Sequence, residues 1–64
     1  MCLSTAYKNT KSPDAVMAKN ITSIEFEGAE IVLIDLMGAE FRVEGSLKLV
    51  DLVNGTVIIE TEVA

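Results

Sequence analysis

The stretch Ile31-Val32-Leu33-Ile34-Asp35-Leu36 is apolar at odd and even positions alike, with Asp35 its only interruption. Side chains on a strand alternate between the two faces of a sheet, so such a run reads as a strand covered on both sides. In a chain of 64 residues two arrangements give that cover. One face can be a subunit interface, or the strand can sit centrally in a closed barrel. Half of the residues are hydrophobic and the mean hydropathy is +0.42, yet a chain this short buries only about 60% of the surface it exposes when unfolded. A second subunit is the economical place for the apolar surplus. No apolar run is long enough for a membrane-spanning helix or a signal-peptide core.

The flanking segments alternate with period two. Ile24 and Phe26 face away from Glu25 and Glu27, and Phe41 and Val43 away from Glu40, Arg42 and Glu44, which gives two half-buried strands. Gly28-Ala29 and Met37-Gly38-Ala39 read as the turns between them, and Gly45 ends the second. Leu47 and Leu49, then Val50 and Leu52, change parity around Asp51, which predicts a bulge or bend. Asn54-Gly55 predicts a two-residue type I′ hairpin joining Lys48–Val53 to Thr56–Glu60. At the start, Leu3 to Tyr7 reads as a strand and Lys8 to Asp14 as a polar loop with the only proline. Ser12-Pro13-Asp14 also carries helix-start signals. A helix there could run only to Asn20 and lacks an apolar stripe, so a turn and a short strand, Val16 to Lys19, are expected. Thr61 to Ala64 is a polar tail. The sum is an all-β chain: one domain, residues 1–64, forming a small SH3-like barrel of six or seven short antiparallel strands.

Ten acids against five bases give a net charge of −5. Lys8, Lys11, Lys19, Arg42 and Lys48 are scattered singly, and Tyr7, Phe26 and Phe41 are the only aromatics. Phosphate-backbone binding needs clustered bases, and base stacking needs aromatic platforms, so nucleic acid is disfavoured as a partner. Glu25 with Glu27, Glu60 with Glu62, and the turn acids Glu30 and Glu40 are explained by solvated outer faces. Asp35 and Asp51 each interrupt an apolar run, and are expected to hydrogen-bond a turn or rim an interface. The glycines form no phosphate-binding loop. Histidine is absent, which removes the usual catalytic triads and the side chain best suited to acid–base work at neutral pH. No enzyme is expected. Met17 and Met37 read as core filling.

One side chain stands apart. Cys2 is the only cysteine, so no intrachain disulfide can form and a reducing cytoplasm is the compartment expected. If Met1 is trimmed, a free α-amine (pKa about 8) and a thiol (pKa about 8.5) lie on adjacent carbons. They close a five-membered N,S chelate that suits Ni(II) or Cu(II) better than a hard cation. One chain offers two or three such donors, so a complete site needs a second copy. The residue chemistry equally allows Cys2 to be an incidental small hydrophobe.

The Met1-Cys2 start, the Glu27-Gly28-Ala29 hairpin, the apolar strand ending Asp35-Leu36-Met37-Gly38, Val43-Glu44-Gly45, Val50-Asp51-Leu52 and the final hairpin together resemble the CooT family of small nickel-binding proteins. The resemblance covers nearly the whole chain. It implies a homodimer of small β-barrels that holds Ni(II) between two N-termini, with Cys2 as the ligand and carbon monoxide dehydrogenase as the enzyme served. Members have also been labelled RNA-binding, which the charge here does not support. The expectation is therefore a cytoplasmic Ni(II)-binding accessory protein or metallochaperone. The alternatives are a small RNA-binding barrel and a ligand-free docking dimer.

Overall fold

The computed structural model describes residues 3–61. Its strands are β1 (Ser4–Lys8), β2 (Val16–Glu27), β3 (Glu30–Asp35), β4 (Glu40–Glu44), β5 (Ser46–Asp51) and β6 (Thr56–Glu60). All six lie in one sheet, in the order β4-β3-β2-β1-β6-β5. Strand β2 is at least twice the length of any other because it serves two partners. Residues Val16 to Ile21 pair with β1, and Ile21 to Glu27 pair with β3. The switch is made where Asn20 takes a left-handed φ of 59°, a conformation asparagine tolerates better than most residues. The register then slips between Ile21 and Ser23, and Thr22 Oγ1 donates to the Ile34 carbonyl at 3.2 Å. A bend and a bulge in one strand are how a sheet turns a corner. The expected short strand Val16–Lys19 and its successor are therefore one element.

Around that corner the sheet folds over a core of Ala6, Ala18, Ile21, Ile31, Leu33, Val57 and Ile59, with Met17, Ile24, Val43 and Leu47 against it. The fold is the small barrel-like all-β architecture expected, but the sheet stays open between β4 and β5. The expected closure is made only at one end, where Gly45 alone joins those two strands. A second correction concerns strand direction. Strands β1 and β6 run parallel, Thr5 opposite Thr56 through Lys8 opposite Ile59. Hairpin signals report only sequence neighbours, so a pairing of first strand with last left no trace in the local pattern.

The apolar run settles in β3, where Ile31, Val32 and Leu33 are all buried within a single chain. At these positions the wrapped strand, rather than a subunit interface, supplies the cover. Val32 faces away from the core, on the side where Arg42 of β4 reaches across β3 to Glu27 of β2 at 2.6 Å. Glu30 at 3.4 Å and Glu40 at 3.7 Å complete the cluster. The Glu27 hydrogen bond and charge, with help from Glu30 and Glu40, raise the guanidinium pKa further above its ordinary value. Ser12 and Pro13 do begin a helical turn, but it is a single 3₁₀ turn, Pro13–Ala15, capped by Ser12 Oγ.

The last hairpin also differs from expectation. Asp51 pairs with Thr56, so the loop is the four residues Leu52-Val53-Asn54-Gly55 and not a two-residue type I′ turn. Asn54 keeps negative φ while Gly55 takes 66°. The reason is Asp51. Its Oδ1 accepts from the Val53 and Asn54 amides at 3.1 and 3.2 Å, and its Oδ2 accepts from Asn54 Nδ2 at 2.7 Å. These bonds offer the backbone a local alternative to the tight hairpin. The parity change is likewise real but earlier, a register slip between Leu47 and Leu49. The tail from residue 62 lies outside the described residues.

Two tests follow from this geometry. A Cβ on Gly45 would lie 2.5 Å from the Glu60 carbonyl oxygen, so Gly45→Ala must displace backbone where β4 hands over to β5. Urea unfolding is expected to show a loss of about 1–3 kcal/mol. For Asp51, the Asn54 side-chain and backbone hydrogen bonds are the main causes that hold its pKa below the ordinary carboxylate value. Its contribution is thus full above about pH 4 and is lost as pH falls through the lowered folded value. The stability difference between wild type and Asp51→Ala should be constant near neutrality and narrow in acid; a difference that grows in acid would contradict the assignment.

Candidate metal centre

The chain enters the sheet at its middle. Strand β1 is flanked by β2 on one side and β6 on the other, so the backbone from Ser4 onward is held by two ladders. Ser4 is buried and pairs with Ile21, beside the β2 corner. On the other side Thr5 N–H donates to the Gly55 carbonyl at 2.8 Å. A Cβ at Gly55 would stand 2.9 Å from the Leu3 carbonyl oxygen, so the β5–β6 loop presses directly on the start of the chain. Leu3 itself is exposed. Cys2 lies outside the described residues; the structure describes the backbone that follows it, from Leu3 onward.

Other elements end at the same place. Asp35, opposite Ile21, closes the β3–β4 turn by accepting from the Met37 and Ala39 amides, each at 2.9 Å. Leu36 N–H donates to the Asn20 carbonyl at 2.9 Å, which ties that turn to the corner. Both aspartates singled out in the sequence therefore brace turns beside the chain start. Between them opens a groove of about 230 Å³, lined by Ser4, Ile21, Thr22, Ser23, Ile24, Val50, Leu52 and Val57.

Carboxylates elsewhere form no ligand set. Glu25, Glu27, Glu40 and Glu60 are exposed, and three acids of the β2–β4 face surround Arg42 rather than a vacant point. A wider groove of about 770 Å³ at the other end of β6 brings Glu44 and Glu60 to its wall with Ala29, Gly45, Ser46 and Thr61. Among the described residues there is no group of three or more His, Cys, Asp or Glu placed to hold an ion. Met17 packs on the core as expected, whereas Met37 is exposed on its turn. Core filling was the wrong reading for Met37. The Arg42 cluster was not legible as a unit, because its four members come from three strands; the signal was a lone cation among acids two residues apart. Among the described residues no helix is long and apolar enough to cross a membrane.

Comparison with known proteins agrees with this architecture. A crystal structure of a chain assigned to CooT from Carboxydothermus hydrogenoformans superposes with a TM-score of 0.83, covering 95% of this chain and 98% of that one at 15% identity. Identity that low establishes a common fold. Curated proteins offer no significant sequence match. The sequence model described as CO dehydrogenase accessory protein CooT matches residues 1–60, through the last residue of β6. The chain belongs to the CooT family of CO dehydrogenase accessory proteins.

Proposed function

We propose that this protein carries Ni(II) as cargo for the maturation of a nickel enzyme, carbon monoxide dehydrogenase being the one its family serves. Two copies would each lend the Cys2 thiolate and main-chain nitrogens to a shared ion. The observation that carries this reading is the reach of the family match, which includes residue 2, the one thiol in a chain without histidine. Sulfur with amine or amide nitrogen is a donor set for a borderline ion such as Ni(II). The described structure supports it indirectly. The residues that follow Cys2 are anchored, Ser4 by pairing with Ile21 and Thr5 by the Gly55 carbonyl.

The protein's part in such a site is positional and protonic. Thiol and amine must both shed protons before they ligate, so affinity is expected to fall as pH drops below their ordinary range of about 8–8.5. The scattered bases, four of them lysines, give no cluster for a phosphate backbone, so the RNA-binding alternative gains nothing from the fold.

Titration with Ni(II) tests the proposal. Wild type is expected to develop thiolate-to-nickel charge-transfer absorption that saturates at one metal per two chains, and to release protons as it does so. Cys2→Ser should lose both signals. Identical weak binding by the two proteins would dispose of the reading.

A further inference from the structure

Among the described residues two strands have a neighbour on one side only, β4 beside β3 and β5 beside β6. An edge strand carries amides and carbonyls that no ladder uses, and it is open to another strand unless something blunts it. The β5 edge is blunted. Its register slips between Leu47 and Leu49, and the residue at the slip is Lys48, whose ammonium lies 3.5 Å from the Asn9 carbonyl. A bulge and a lysine are two of the usual guards of a sheet edge. The β4 edge has neither. It pairs with β3 without a slip from Glu40 to Glu44, contains no proline or lysine, and is exposed at every residue except the half-buried Val43.

The two faces of β4 differ. Register places Phe41 in a row with Leu33 and Ile24, and Val43 in a row with Ile31 and Phe26, on the core side. Phe41 is 41% and Phe26 63% exposed there. Glu40, Arg42 and Glu44 alternate with them on the other side, where Glu44 shares a row with Glu30 and Glu27. Arg42 is the one cation among these acids, so the outer side of the edge is negative. At the Gly45 end the 770 Å³ groove, walled by Glu44 and Glu60, continues the acidic row.

We infer that β4 takes up an extended segment of a second protein as an added strand, with apolar side chains beside Phe41 and Val43 and lysine or arginine beside Glu40 and Glu44. Added strands bind through main-chain hydrogen bonds and are selected by their alternate side chains. Charge chooses the occupant. A second copy of β4, paired antiparallel about Arg42, would set Glu40 opposite Glu44 twice and Arg42 opposite Arg42. Parallel pairing in register would set each acid opposite itself. Like charges directly opposite destabilise a strand pair, whereas a basic segment gains at the same positions. The inference goes beyond nickel carriage and uses no donor from the chain start.

Nitrogen-edited NMR of the full chain in chelator tests it, with blocked peptides as probes. A peptide of alternating lysine and valine is expected to shift the amide signals of residues 40–44 and to slow their hydrogen exchange. A peptide of alternating glutamate and valine should leave them unmoved, and so should one with its lysines and valines in separate blocks. The double variant Glu40→Lys, Glu44→Lys should bind the lysine–valine peptide about tenfold more weakly, with unchanged far-ultraviolet circular dichroism, and should now take up the glutamate–valine peptide. Equal binding of the block peptide reduces the effect to charge alone and overturns the inference. Shifts confined to β5, or none at all, also overturn it. Dilution shifts of the protein alone, confined to residues 40–44, would give the edge to a second copy and overturn it too. None of these readouts involves Cys2 or Ni(II), so they stand or fall apart from the nickel titration.

Discussion

Everything in this fold depends on one strand being shared by two halves of a sheet. Without the left-handed Asn20 and the extra residue at Thr22, β2 would continue straight. Its two partners would then lie in one flat layer, with the core face open to water. The corner turns that layer onto itself, so a chain of 64 residues can surround Leu33, Ile59 and Ala6 completely. The site follows from the same corner. Ser4 meets Ile21, Leu36 meets the Asn20 carbonyl, and the start of the chain emerges where these contacts converge.

Much of this was legible from the residues because the controlling signals are local. Glu27 and Glu30 flank Gly28-Ala29 in register, and Ile31 to Leu33 are covered on both faces as an unbroken apolar run requires. Asp35 and Asp51 brace turns, as acids that interrupt apolar runs do. What escaped is non-local or competitive. The parallel β1–β6 pair joins residues some fifty apart, and alternation carries no information about direction. At Asn54-Gly55 a strong turn signal lost to a stronger acceptor, since Asp51 three residues earlier could satisfy three donors at once. Met37 was misread because period alone does not separate a side chain on a strand from one on a turn. Cys2, on which the proposed function rests, was legible as chemistry alone: its type and uniqueness are read from the sequence, and it lies outside the described residues.

The glutamates gather on the β2–β4 face, where Arg42 binds the strands together without neutralising them. Surface ion pairs of this exposure contribute little to stability, of order 0–1 kcal/mol, so the cluster is better understood as a device for strand register and solubility. Apolar side chains that the small core has no room for are exposed in the turns, at Leu36, Met37, Leu52 and Val53, and on the strands, at Phe26 and Phe41.

The central position of β1 has a consequence for how the protein comes into being. Its parallel neighbour, β6, is the last of the six described strands in chain order, and the Gly55 carbonyl that receives the Thr5 amide comes from the loop just before it. Contacts between the two ends of a chain are the slowest to close. During synthesis β1 can therefore pair with β2 early, but lacks its second partner until β6 has been made.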